Sequence, residues 1–110
     1  DSMQAAGMPD GVYMLGELET YVVDGVARIK EGNLAGSTAN LYMCLMNLMK
    51  FAGASLEDAI LCATRNPSIA AGIYDTVGSI AVGKDADILL LDSDLTIDKT
   101  ISRGRTVYSK

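Results

Sequence analysis

The sequence contains no histidine and no tryptophan, and only one phenylalanine and two prolines among its 110 residues. Histidine is the commonest general base at neutral pH and a common metal ligand, so this chain alone cannot form a Ser-His-Asp or Cys-His catalytic site. Basic residues are also few, since nine Lys and Arg against fourteen Asp and Glu give a formal net charge of −5. Phosphate-rich partners require an excess of positive charge, which argues against nucleic acid and anionic membrane surfaces as partners.

Long apolar runs are absent too. No stretch approaches the roughly 20 apolar residues that span a bilayer, and the first four residues lack the basic and apolar regions of a signal peptide. Cys44 and Cys62 have no CxxC spacing and lie in apolar stretches of helical character, where a cysteine is usually a small buried hydrophobe. We therefore expect buried thiols, a reducing cytoplasmic setting and no membrane association. A carboxylate site for Mg²⁺ or Ca²⁺ remains open.

The first third of the chain is predicted to be a loop followed by a hairpin. Residues 1–18 show no helical or strand period, and Pro9-Asp10-Gly11 is a turn pattern in which glycine takes the left-handed conformation. Residues 19–30 carry Asp24-Gly25 between β-branched runs, which predicts two antiparallel strands joined by a type I′ turn. Residues 31–33 then predict another turn.

The middle of the chain is predicted to be helical. Residues 34–37 are interpreted as the entry to a helix that Ser37 or Thr38 caps and Gly53 ends. That helix is apolar nearly all round, which indicates burial on most sides and therefore a larger assembly or an oligomer. Ser55 opens a second helix over residues 56–65, and Asn66-Pro67 is expected to break it. A short helical piece over residues 68–72 follows.

The last third is predicted to be β-structure, so the isolated chain is predicted to be α+β. Strands are expected within residues 78–83, 86–92, 95–101 and 105–108, the last after a turn at Arg103-Gly104. Aspartates cluster near the predicted strand ends, and we interpret them as solvated turn carboxylates. They are Asp85, Asp87, Asp92, Asp94 and Asp98.

Several segments together resemble one enzyme family. They are Asp1-Ser2-Met3, Pro9-Asp10-Gly11, the Asp24-Gly25-Val26-Ala27-Arg28 hairpin, Leu34-Ala35-Gly36-Ser37, Ala63-Thr64-Arg65-Asn66-Pro67 and the closing residues 78–92. The combination is similar to the C-terminal part of the N-acetylglucosamine-6-phosphate deacetylases of the amidohydrolase superfamily. The closing segment is generic to the superfamily, whereas the opening and the Leu-Ala-Gly-Ser segment are more specific to the deacetylases. The resemblance covers essentially the whole chain.

The resemblance implies an α/β fold in the full-length protein. Residues 1–77 would form the C-terminal part of a (β/α)8 amidohydrolase barrel, with its last loop and outer helices. Residues 78–110 would supply the C-terminal strands of a small β-sandwich. The implied enzyme removes acetate from N-acetylglucosamine 6-phosphate, and we expect the 110-residue chain to be inactive alone.

The resemblance also implies site residues. Asp1 matches the carboxylate that takes the proton of the attacking water, and Leu34, Ala35 and Gly36 match the segment whose backbone lies against the sugar. The family's divalent metal, with zinc the expected ion, is held by a Glu and two His, and none of these ligands is present here. No metal is therefore expected on this chain. The implied partner is an amino-sugar phosphate bound by a cytoplasmic homo-oligomer.

Two other functions remain open at this point. The chain could be a truncated structural or assembly module without catalytic activity. It could also belong to a related amidohydrolase that acts on another amide.

Overall fold

The structure, a computed structural model, describes all 110 residues and divides into two compact units, Asp1–Gly53 and Ala54–Lys110. Each unit contains one antiparallel sheet and helical structure, which confirms the predicted α+β character. The strands are β1 (Gly11–Leu15), β2 (Leu18–Val23), β3 (Val26–Ile29), β4 (Leu34–Gly36), β5 (Ile88–Leu91), β6 (Ile97–Ser102) and β7 (Arg105–Ser109). The helices are α1 (Leu41–Ala52), α2 (Leu56–Ala63) and α3 (Arg65–Ala70).

The first unit contains a four-stranded sheet in the order β1-β2-β3-β4, with all neighbours antiparallel. The predicted hairpin is confirmed, because Val23 lies opposite Val26 and the turn between them has φ of 50° at Asp24 and 71° at Gly25. Positive φ at both central residues is the type I′ geometry. The predicted turn at residues 31–33 is confirmed as well, and it joins β3 to β4.

The prediction that residues 1–18 form one loop is wrong for its second half. Residues 11–15 form β1, which pairs with β2 through a two-residue turn in which Gly16 has φ of 60°. Gly11 begins the strand and does not have a positive φ. The strand was missed because residues 12–15 are all apolar or aromatic, so they show no alternation of period two.

The start of α1 was also predicted wrongly. Residues 34–36 form a strand, and neither Ser37 nor Thr38 caps the helix. Asn40 does, since its side chain accepts a hydrogen bond from the Met43 N–H at 2.8 Å. The backbone of residues 34–37 is engaged in pairing with β3 and with the first residues of the chain, a non-local partnership that the local sequence does not reveal. The predicted end of α1 is confirmed, because Gly53 ends the helix in the left-handed conformation with φ of 67°.

The break between α2 and α3 lies at Thr64, two residues before the predicted break at Asn66-Pro67. Pro67 is in the first turn of α3, where the missing N–H of proline has no helical partner to lose. Ser55 caps α2 as predicted, with its hydroxyl oxygen 3.1 Å from the Asp58 N–H. The short helical piece over residues 68–72 is represented by the second half of α3.

In addition to α2 and α3, the second unit contains a three-stranded sheet in the order β5-β6-β7. The Arg103-Gly104 turn is confirmed, with φ of 47° and 76°. The strand expected at residues 78–83 is absent. Gly78 and Gly83 have φ of 84° and 89°, and the Lys84 N–H closes a turn on the Ala81 carbonyl at 3.2 Å, so this segment is a loop.

The expectation of buried cysteines is wrong. Cys44 and Cys62 are both exposed, because α1 has no buried residue and α2 buries only Ala59 in this structure. The apolar surface of α1 therefore remains accessible. The longest helix has 12 residues, and no helix has the length and apolar character needed to cross a membrane.

Candidate functional site

The fold brings Asp1 beside the segment Leu34–Gly36, although more than thirty residues separate them in the sequence. Ser2 forms an isolated parallel bridge with Ser37. The Ser37 N–H donates to the Asp1 carbonyl at 3.0 Å, and the Met3 N–H donates to the Ser37 carbonyl at 2.9 Å. The first residues thus extend the β1–β4 sheet beyond β4. Two of the segments that the sequence singled out therefore lie side by side.

The strand β4 has an irregular pairing at this site. Gly36 lies opposite Ala27, whereas Leu34 lies opposite Arg28, so Ala35 is the extra residue of a β-bulge. Bulges at sheet edges redirect side chains and backbone groups, and they occur often near active sites. The irregularity therefore falls within the three residues for which the family resemblance implies contact with the sugar.

The site has a buried side and an exposed side. Met3 is buried at 7% exposure and packs with Ala5, Val22 and Ala27. A Cβ added to Gly36 would lie 3.5–3.6 Å from the Met3 side chain, so that direction at Gly36 faces the buried cluster. Asp1 and Leu34 are exposed, with Leu34 at 69%. A ligand can therefore reach both residues.

Sequence reasoning missed two residues that hold the neighbouring turn. The Asp10 carboxylate accepts hydrogen bonds from the N–H groups of Asp24 at 2.6 Å and Gly25 at 3.0 Å. Thr38 Oγ1 donates to the Gly25 carbonyl. The contact of Thr38 with the turn follows from the register of β3 and β4. Continuing the pairing of Ala27 with Gly36 by two residues brings residue 38 beside residue 25.

Four of the clustered aspartates of the second unit make local hydrogen bonds or ion pairs through their side chains. Asp87 Oδ1 accepts from the Arg103 N–H at 2.7 Å, and Asp92 Oδ2 lies 2.9 Å from Lys110 Nζ. The Lys110 ammonium lowers the pKa of Asp92, and the Asp92 carboxylate raises the pKa of Lys110. Hydrogen bonds from the backbone N–H and hydroxyl of Thr96 lower the pKa of Asp94. Local partners therefore favour the charged forms of Asp92 and Asp94.

The residues of this chain do not fit a metal centre by themselves. No group of three or more His, Cys, Asp or Glu side chains comes together, whereas a protein zinc site uses at least three such ligands. The chain supplies an exposed carboxylate next to a bulged strand. That arrangement can accept a proton and present backbone groups to a polar ligand.

Comparison with known proteins identifies the family. The model of the amidohydrolase family matches residues 6–107. The chain belongs to the amidohydrolase family. Amidohydrolases are generally metal-dependent enzymes, and the resemblance derived from the sequence is confirmed by this match and by the relatives described next.

Individual relatives of this amidohydrolase chain are named as sugar-phosphate deacetylases. The N-acetylglucosamine-6-phosphate deacetylase of Vibrio furnissii is 40% identical over 108 residues, which cover 98% of this chain and 27% of that protein. The N-acetylgalactosamine-6-phosphate deacetylase of Escherichia coli O157:H7 is 37% identical over 105 residues, which cover 96% of this chain and 28% of that protein. This amidohydrolase chain therefore spans little more than a quarter of the length of these relatives.

A solved structure agrees in fold over the whole chain. The crystal structure of N-acetylglucosamine-6-phosphate deacetylase from Thermotoga maritima matches with a TM-score of 0.89 and 40% sequence identity. The match covers 100% of this chain and 30% of that one. The fold of these 110 residues is thus one found within a deacetylase of the family.

Proposed function

We propose that these residues are the C-terminal segment of an enzyme that hydrolyses N-acetylglucosamine 6-phosphate to glucosamine 6-phosphate and acetate. The observation that carries the proposal is the hydrogen bond from the Ser37 N–H to the Asp1 backbone carbonyl, which brings Asp1 beside the Leu34–Gly36 segment. The relative from Vibrio furnissii, at 40% identity over nearly the whole chain, supports this substrate.

In the proposed reaction, Asp1 is the proton acceptor. Its carboxylate takes a proton from the attacking water as the water oxygen bonds to the acetyl carbon. The same carboxyl group then gives the proton to the sugar nitrogen as the carbon–nitrogen bond breaks, so acetate and a free amine leave. The backbone of Leu34, Ala35 and Gly36 lies against the sugar and orients it.

A divalent metal, with zinc the expected ion, belongs to the proposed full-length enzyme. It would polarise the amide carbonyl. Its ligands must come from residues outside this chain, because no metal-binding cluster is present here. We accordingly expect the 110 residues to be inactive alone.

We further propose that residues 1–77 complete a (β/α)8 barrel and that residues 78–110 contribute strands to a small β-sandwich. The apolar but unburied α1 supports this arrangement, since a helix of that composition is normally covered. Exposed apolar residues on β5 and β7 support it for the sandwich; they include Leu89, Leu90, Val107 and Tyr108. We also propose that the full-length enzyme is cytoplasmic and forms a homo-oligomer.

The deciding experiment is an Asp1→Asn substitution in the full-length protein, assayed by acetate release from N-acetylglucosamine 6-phosphate. Asparagine keeps the size of the side chain but cannot accept the proton. We expect kcat to fall by about 10²- to 10⁴-fold, with a smaller change in KM. Asp75→Asn, at an exposed aspartate of the second unit, is the matched control. An Asp1→Asn enzyme within a few-fold of the control in kcat would refute the assigned role.

A second candidate substrate is N-acetylgalactosamine 6-phosphate. The 37% identical relative from Escherichia coli O157:H7 is named for that sugar. The two sugars differ only in the configuration at one carbon, so the comparison of kcat/KM for the two substrates on one enzyme preparation decides between them. The non-catalytic alternative predicts that the full-length protein releases no acetate from either sugar.

A further inference from the structure

Asp10 is an exposed carboxylate that the proposed reaction does not use. Its two oxygens accept hydrogen bonds from the N–H groups of Asp24 and Gly25, at 2.6 and 3.0 Å. These are the two central residues of the type I′ turn between β2 and β3. Hydrogen bonds to an ionised acceptor are shorter and stronger than neutral ones. Asp10 therefore fixes the turn relative to the loop that begins at Asp1.

The same turn is bonded to the candidate site on its other side. The carbonyl of Gly25 accepts a hydrogen bond from Thr38 Oγ1. Thr38 directly follows Ser37, whose N–H donates to the Asp1 carbonyl at 3.0 Å. Hydrogen bonds, together with the peptide link between Thr38 and Ser37, thus connect Asp10 through the turn to Asp1. The backbone of residues 1–10 closes this connection into a ring.

We infer that Asp10 is a positioning residue, which sets the place of the Asp1 carboxylate beside Leu34–Gly36 without touching the substrate itself. The inference rests on the proposed function, because it takes Asp1 as the proton acceptor. Without the Asp10 carboxylate, the turn loses two bonds and the Gly25 carbonyl is no longer held for Thr38. A misplacement of a reacting group by about 1 Å can cost about 10²-fold in rate.

The test is steady-state kinetics of the full-length protein with N-acetylglucosamine 6-phosphate as substrate. We expect Asp10→Ala to lower kcat by about 10- to 100-fold, at an amount of folded protein equal to that of the matched control Asp75→Ala. Asp10→Asn keeps one acceptor oxygen for the turn, so it should recover part of the lost rate. Asp10→Ala with the kcat and KM of the control would overturn the inference. The inference would also be overturned if the activity of Asp10→Ala fell only in proportion to the amount of folded protein.

A double substitution separates positioning from a general structural role. If Asp10 acts through Asp1, adding Asp10→Ala to Asp1→Asn should cause little further loss of kcat. If the two losses multiply in full, the inference is overturned. Asp1→Asn with the kcat of the wild type would overturn both the proposed function and this inference. A severe Asp1→Asn defect with an unaffected Asp10→Ala enzyme would overturn the inference alone.

Discussion

Replacing Gly78 with alanine should destabilise the second unit more than alanine at its other glycines. Gly78 has φ of 84°, and an added Cβ would lie 1.9 Å from Ser68 Oγ, 2.8 Å from Ser68 Cβ and 3.2 Å from the Thr64 carbonyl oxygen. Ser68 is 5% exposed, and its hydroxyl bonds the carbonyls of Thr64 at 2.6 Å and Arg65 at 3.0 Å. The Ser68 side chain therefore cannot move away without losing these bonds.

Two physical costs combine at Gly78. The left-handed backbone disfavours alanine relative to glycine by about 1–2 kcal/mol, and the steric overlap adds about 1–3 kcal/mol. We therefore expect a total destabilisation of about 2–5 kcal/mol. Gly83 is a matched control, since its φ is 89° and nothing lies within 4 Å of an added Cβ. Gly83→Ala should show the backbone cost alone.

Hydrogen exchange on the full-length protein measures this difference locally. The Ile73 N–H donates to the Ser68 carbonyl at 2.9 Å, so its exchange reports on opening at the end of α3. At 1.4 kcal/mol per factor of ten, Gly78→Ala should accelerate exchange over residues 64–77 by about 5- to 150-fold more than Gly83→Ala. Equal acceleration in the two variants would refute the steric argument.

A third variant checks the atoms responsible. Ser68→Gly removes both Ser68 atoms that lie within 3 Å of the added Cβ. Its cost should therefore be smaller in the Gly78→Ala background than in the wild type, and the size of this coupling measures the overlap. An equal cost of Ser68→Gly in both backgrounds would show that the overlap is relieved in another way.

Three further predictions concern charge, metal and assembly. Lys110→Met should raise the pKa of Asp92, because the ammonium that lowers it is removed. As the pH falls, the stabilisation by the charged Asp92 carboxylate should then be lost at a higher pH than in the wild type. NMR titration of the Asp92 carboxyl carbon measures this pKa, and an unchanged titration would contradict the prediction. The isolated chain should retain no zinc after dialysis, because no three ligating side chains come together, and one equivalent found by elemental analysis would contradict this. Light scattering of the isolated chain should detect species larger than a monomer. The outer edges of β5 and β7 are unpaired and much apolar surface is exposed, and both features favour association. A single monomeric species that melts cooperatively would contradict this.

Features determined by neighbouring residues were predictable from the sequence. The Asp24-Gly25 turn, the Ser55 cap and the helix end at Gly53 each depend on a few adjacent residues, and the structure confirms all three. The strands β1 and β4 depend on partners elsewhere in the chain, so local periodicity did not reveal them. The loop at residues 78–83 was mistaken for a strand because a short apolar run, Ile80 to Val82, lies between two glycines there, as it does in many short strands.

The candidate site likewise combines features that the sequence predicts with features that only the three-dimensional structure shows. The segments that carry Asp1 and Leu34–Gly36 were identified by resemblance, but their contact through Ser37 follows only from the three-dimensional pairing. Asp10 and Thr38 were missed as participants because their partners, Asp24 and Gly25, are more than ten residues away. The roles assigned to Asp1, Leu34, Ala35 and Gly36 stay predictions, of which Asp1→Asn tests the first.

The pairing between Asp1 and Ser37 has a consequence for synthesis on the ribosome. At about 5–20 residues per second, Ser37 emerges roughly 2–7 s after Asp1. The β1–β4 sheet has neighbouring strands paired in chain order, so its hairpins can form as they emerge. The first residues must wait until β4 has joined the sheet before they find their partner. During vectorial translation Asp1, the proposed proton acceptor, is therefore synthesised well before the residue that it pairs with, and slow formation of the type I′ turn at Asp24-Gly25 would delay this pairing.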